Sequence, residues 1–158
     1  MDATAQARSF DLYMEGGSLH YFADLNPVAD LACRLLRPGG RLVLNDFHPF
    51  RKCIKEVREG GFKGKEQESK EGRAKVHLEL GGNYLNQQLR TGPVAYQGFF
   101  PEEDQADFPQ CSLRIWTFGR IITAFATAGL AIERVDNGPH YIDDRLPGDF
   151  TLVAHKAV

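Results

Sequence analysis

The chain has 158 residues, of which 42% are hydrophobic and 25% charged, with a net charge of −2. This is the composition of one globular domain able to bury about 70% of its unfolded surface. The mildly acidic balance argues against a nucleic-acid partner, because a phosphate-binding surface carries a basic excess. No apolar run approaches the roughly 20 residues that span a bilayer, and the N-terminus lacks the charged start and apolar core of an export signal. A cytoplasmic location without membrane contact is therefore expected. Cys33, Cys53 and Cys111 are spaced too widely for a C-x-x-C pair and read as reduced thiols with no metal site.

Residues 1 to 8 read, from their composition, as a frayed polar tail. Leu12 to Met14 is an apolar run too short for a helix and bounded by Gly16 and Gly17, which reads as a buried strand. Asn26 is placed to cap a helix with Pro27 at its first position. Val28, Leu31, Ala32, Leu35 and Leu36 then recur with helical spacing on one face, until Pro38 and Gly39 stop the helix. Leu42, Val43 and Leu44 are an unbroken apolar run, as a strand covered on both faces requires. The unit is strand–helix–strand, which implies two parallel strands joined by a right-handed crossover.

Asn45 and Asp46 end that strand, and burying either without a partner would cost roughly 1 to 3 kcal/mol, so both are expected to be hydrogen-bonded or to face a polar cleft. From Arg51 to Lys75 the chain turns basic. Cys53, Ile54 and Val57 suggest a helical turn or two, and a solvated loop follows Gly60. That loop reads as solubilising, with a lid or a basic patch for an anionic acceptor as the functional alternative. VHLEL and VAYQGFF suggest paired antiparallel strands carrying an aromatic wall of Tyr84, Tyr96, Phe99 and Phe100. PEEDQADFP is an acidic linker. Thr117 caps a helix with Phe118, Ile121, Ile122 and Phe125 on one face and Gly129 at its end. Leu130 to Val135 is the next strand, Asp136 to Pro139 a turn, and DFTLVAHK the last strand.

Four stretches, FDLYMEGGSLHYFADL, RLLRPGGRLVLNDFHP, RIWTFGRIITAFATAGLAIERVDN and LPGDFTLVAHKA, resemble the class I S-adenosylmethionine-dependent methyltransferases. The resemblance covers the second half of that family's domain. It implies an α/β fold: a partial Rossmann-like sheet of parallel strands plus a C-terminal antiparallel hairpin, with helices on the faces and a small β insertion. Residues 1–158 are then one domain, with 51–110 an inserted loop and β-hairpin cover. The implied activity is methyl transfer from S-adenosyl-L-methionine to a small-molecule acceptor.

For the cofactor, the resemblance points to Asp2 and Ala3 at the adenine and to Glu15, Gly16, Gly17, Ser18 and Leu19 along the pocket wall. It puts His48 and His20 near the acceptor as candidate bases, since a histidine near neutral pKa can take a proton as the methyl group arrives. The alternatives are a His20 packed against the next helix and a His48 capping a turn. Tyr21, Arg114, Trp116, His140 and Tyr141 are the candidate substrate contacts. The family's glycine-rich turn after its first strand has no counterpart, for the sequence contains no G-x-G. A non-catalytic half-domain, associating with itself or with a partner, is therefore the alternative function.

The strand from residue 10 to 14 is expected to have an uncovered edge, and an open apolar edge is a template for pairing with another chain. A homo-oligomer joined through that edge is the expected state. Light scattering after size exclusion should then show a dimer or larger species, and a monodisperse monomer at high concentration would refute the expectation.

Overall fold

The computed structural model describes residues 11–14, 16–58, 76–94, 97–141 and 143–158. Asp2, Ala3, Phe10, Glu15, Tyr96 and the basic stretch 59–75 lie outside the described residues. In chain order the elements begin with β1 (Leu12–Met14), α1 (Asn26–Leu35), β2 (Arg41–Phe47), β3 (Ile54–Arg58) and β4 (Val76–Leu80). They continue with β5 (Arg90–Pro93), α2 (Glu102–Gln105), β6 (Gln110–Leu113), α3 (Phe118–Thr127), β7 (Leu130–Pro139) and β8 (Pro147–Lys156). Short 3-10 turns occupy Leu19–Tyr21, Pro49–Cys53 and Gln97–Phe99.

The main sheet has the order β1-β2-β8-β7. β1 and β2 run parallel, with Leu12 opposite Leu42 and Met14 opposite Leu44, as the strand–helix–strand reading requires. β8 pairs antiparallel with β2 on one side and with β7 on the other, so the C-terminal hairpin extends the parallel pair. At the amino end of the pair, Asp11 Oδ1 accepts the Arg41 amide at 2.8 Å and its other oxygen meets Arg37 at 3.2 Å. These donors hold the Asp11 carboxyl below the usual carboxylate range.

The core lies on one face of this sheet. Leu42 pairs with Ala154, Leu44 with Leu152 and Asp46 with Phe150, and all six are buried. The five apolar ones join Ala29, Ala32 and Leu36 from the α1 segment and Ile121, Ala124 and Phe125 from α3. Val43, Asn45, Thr151 and Val153 alternate with them on the other face and are only half-buried. Helices were expected on both faces; instead α1 and α3 touch each other and share one. The apolar run Leu42 to Leu44 is therefore covered fully on one side only.

Helix α1 also corrects the sequence reading in its phase. Its buried face is Leu25, Ala29, Ala32 and Leu36, whereas Leu31 is 49% exposed. Two apolar stripes adjoin on this helix, and the alanines let α3 approach closely where the larger side chains would not. Asn26 is the first helical residue, not the cap. The Asp24 carboxylate accepts its amide at 3.0 Å, and Pro27 follows in the first turn, where no amide is needed. Lys156 Nζ closes the far end by donating to the carbonyls of Cys33 and Leu36. α3 matches its expectation: Thr117 Oγ1 accepts the Arg120 amide, and Gly129, at φ +94°, ends the helix.

Further differences lie outside the core. Ile54 and Val57 belong to strand β3 and not to a helical turn, and VHLEL pairs with β3 instead of with VAYQGFF. Gln97–Phe99 within the latter is a 3-10 turn, and the second hairpin is β5–β6. α2 occupies the acidic linker, its three carboxylates in the first turn where the helix dipole favours them. β7 runs through Asp136 to Pro139, where a turn was expected, and Gly138 permits this because a Cβ there would collide with the Asp149 carboxylate. No described helix is long and apolar enough to cross a membrane.

Truncations should separate the two stripes of α1. Leu25→Ala is expected to cost about 2 to 5 kcal/mol and Phe125→Ala about 3 to 5, while Leu31→Ala should stay within roughly 0.5, all read from guanidinium unfolding midpoints.

Candidate functional site

The carboxyl ends of β1 and β2 open into a cleft of 730 Å³. Ligands of open α/β sheets sit at this end of parallel strands. Gly16, Gly17, His20 and Tyr21 line it from the loop after β1, Phe47, Arg51 and Lys52 from the end of β2 and the turn after it, and Arg90, Leu113 and Arg114 from the β5–β6 hairpin and its exit.

Asp46 fixes the first of these walls. It is 5% exposed, and its carboxylate accepts the Leu19 amide at 2.9 Å, the Phe47 amide at 2.6 Å and a further backbone hydrogen bond from Ser18. Burial pushes its pKa up, and the three amides and the nearby Lys52 ammonium pull against that rise. The expectation that Asn45 and Asp46 find partners is met, since Asn45 Nδ2 donates to the Phe150 carbonyl and to Thr151 Oγ1. Trp116 holds the same loop from the opposite side, its indole N–H lying 3.1 Å from the Leu19 carbonyl and 3.2 Å from that of Phe22. The Arg114 amide donates to the His20 carbonyl at 2.8 Å. Gly17 packs under the Phe47 ring at φ +62°, a left-handed conformation in which a Cβ would force that ring to move.

His20 lies in the cleft, and burial, assisted by Lys52, lowers its pKa to about 4. Its imidazole is neutral at pH 7 and accepts a hydrogen bond, but it is a weak base there. His48 serves as the cap of the Pro49–Cys53 turn: Nδ1 accepts the Phe50 amide at 3.2 Å, and the ring packs 5.1 Å from Phe118. Burial lowers its pKa too, and it is not among the residues lining the cleft. Of the expected substrate contacts, Tyr21 and Arg114 line the cleft and Trp116 braces it. His140 is buried at the end of β7 and stacked on Tyr141, whose ring lies 5.1 Å from the Arg51 guanidinium.

Of the expected cofactor contacts, Gly16 and Gly17 line the cleft, and Ser18 and Leu19 lie behind it on Asp46. The expected aromatic wall is dispersed. Tyr84 accepts the Phe118 amide at 2.7 Å, Phe100 stacks on Phe108, and Phe99 is exposed. Sequence reasoning missed Arg51, Lys52 and Arg90 as individual residues, although the basic composition after Arg51 pointed toward the first two.

No protein-family model matches the chain, and a search of curated proteins finds no match. Solved structures do match. An S-adenosylmethionine-dependent methyltransferase from Mesorhizobium loti is 20% identical with a TM-score of 0.57, over 95% of this chain and 64% of the other. A protein from Listeria monocytogenes assigned as an S-adenosylmethionine-dependent methyltransferase is 17% identical with a TM-score of 0.55, over 92% and 59%. One from Methanosarcina mazei is 14% identical with a TM-score of 0.50, over 97% and 62%. These likenesses show the fold, an α/β arrangement like that of class I methyltransferases. The chain spans 59 to 64% of the length of these structures.

A stability series in pH tests His20, and a neutral substitution tests Asp46. The folded pKa of His20, about 4, lies below its ordinary 6.5, so its contribution is complete above 6.5 and is lost as pH falls toward 4. The difference between parent and His20→Gln should fall through that span. Asp46→Asn turns an amide donor toward amide donors and should cost about 1 to 3 kcal/mol at pH 7 in denaturant unfolding.

Proposed function

We propose that the chain takes part in methyl transfer from S-adenosyl-L-methionine to a small-molecule acceptor, with the cleft at β1 and β2 receiving the acceptor. The observation that carries this is the position of the cleft: the carboxyl edge of the parallel pair, in a fold shared with S-adenosylmethionine-dependent methyltransferases. When bound, the cofactor supplies a methyl group on a sulfonium, a leaving group good enough that alignment of the nucleophile provides most of the acceleration. The residues here suit that task. Tyr21 and Phe47 offer apolar surface, His20 accepts a hydrogen bond from an acceptor hydroxyl or amine, and the loop carrying His20 is held rigid by Asp46 and Trp116.

The described residues fit an acceptor better than the cofactor. A ribose needs a free carboxylate, and Asp46, the carboxylate at this strand end, has both oxygens on backbone amides. Asp2, Ala3 and Glu15, the remaining candidates, lie outside the described residues. The position of β1, three residues long, at the edge of the sheet among the described strands supports a second reading, a half-domain that pairs with another chain through that strand. Isothermal titration with S-adenosylhomocysteine distinguishes the two. Micromolar binding is expected for the methyltransferase, and no heat at millimolar ligand would overturn it in favour of the half-domain.

A further inference from the structure

Four cations line one cleft whose described walls carry no carboxylate, Asp46 lying behind the loop where its charge bears on Lys52. Arg51 and Lys52 stand on the turn after β2, Arg90 on β5 and Arg114 after β6, and no Asp or Glu is among the described residues lining the space between them. None of the four forms an ion pair with a described carboxylate, whereas Arg37, Arg41, Arg134 and Arg145 elsewhere on the surface all do. This arrangement is unfavourable as it stands, since like charges in a concave, partly desolvated site repel.

Two of the four are also oriented. The Arg51 Cζ lies over the Phe47 ring at 4.3 Å and over the Tyr141 ring at 5.1 Å, so aromatic faces on both sides position its guanidinium. Arg114 stacks 4.8 Å from the Trp116 ring, and its Nε is buried with no hydrogen-bond partner among the described residues. A guanidinium held by its face and unpaired at its edge is suited to bidentate recognition of an oxyanion. The same cleft carries apolar surface from Tyr21, Phe47, Leu113 and Ile115 and two neutral amides, Asn86 and Gln88.

We propose that the cleft binds a small organic anion, its carboxylate or phosphate ester clasped by Arg114 and Arg90 across from Arg51 and Lys52, and its apolar body lying against Tyr21 and Phe47. Identifying this anion as the methyl acceptor rests on the function proposed above; the anion site itself does not. The chain's net charge of −2 makes the local excess of cations a property of the cleft and not of the whole surface.

Trp116 is the only tryptophan and stacks on Arg114, so its fluorescence reports ligand at the site. The intact chain, with no methyl donor present, is titrated with benzoate, phenyl phosphate and the neutral isostere benzamide. Saturable quenching by benzoate or phenyl phosphate is expected, the tighter of the two naming the acid group, with benzamide at least tenfold weaker. Arg114→Gln and the exposed Arg90→Gln should each weaken the anion by about tenfold or more, with unchanged far-UV circular dichroism. Equal binding of benzamide, no response to either anion, or tighter binding of a short single-stranded RNA would overturn the proposal. Silence toward S-adenosylhomocysteine with benzoate still bound removes the methyl-transfer reading alone.

Discussion

A buried carboxylate at the end of β2 governs the geometry of everything around the cleft. Asp46 sits on the core face of its strand, in register with Phe150, where an aliphatic residue would continue the pattern of Leu42 and Leu44. A buried carboxyl group there is tolerated because backbone amides hydrogen-bond it, and two of those amides belong to Ser18 and Leu19 in the loop after β1. The electrostatic need of one side chain thus ties the loop of the first strand to the tip of the second. Trp116 and the Arg114 amide complete the hold from the β6 side, so the loop bearing Gly17, His20 and Tyr21 is fixed at three points. A ligand meeting such a wall finds it already in place and loses little to ordering it.

The sheet behind this wall is asymmetric. Phe125, Phe150, Leu152 and the α1 alanines fill one side, while Val43, Asn45, Thr151 and Val153 are half-covered on the other. Stability is therefore concentrated in a two-layer core of two helices on β2 and β8. No described residue of the β5–β6 ladder belongs to that core. The β5–β6 hairpin matters for another reason: it brings Arg90 and Arg114 across from Arg51 and Lys52. Those pairs of cations are distant in sequence and come together only through packing.

The comparison of sequence with structure follows the same division. Elements whose signals were local were legible: the parallel pairing of Leu12–Met14 with Leu42–Leu44, the Thr117 cap, the Gly129 stop and the final antiparallel hairpin all appear as their residues indicate. Phase and partnership were not. Of the expected stripe Val28, Leu31, Ala32, Leu35 and Leu36, Ala32 and Leu36 are buried, but they are joined by Leu25 and Ala29 while Leu31 is exposed, a shift that the approach of α3 selects. VHLEL announced a strand without naming β3 as its partner, and the position of His48 at a strand end did not reveal that its Nδ1 accepts the Phe50 amide.

By itself, the sequence determined the order and type of the core elements, because caps, glycine stops and apolar periodicity act over a few residues and are written in them. Tertiary structure alone decided which face of the sheet is covered, which histidine reaches the cleft and which four cations share it. Those outcomes depend on contacts between segments tens of residues apart. Burial, desolvation and like-charge crowding are set by what a side chain meets across space, and no local pattern records that.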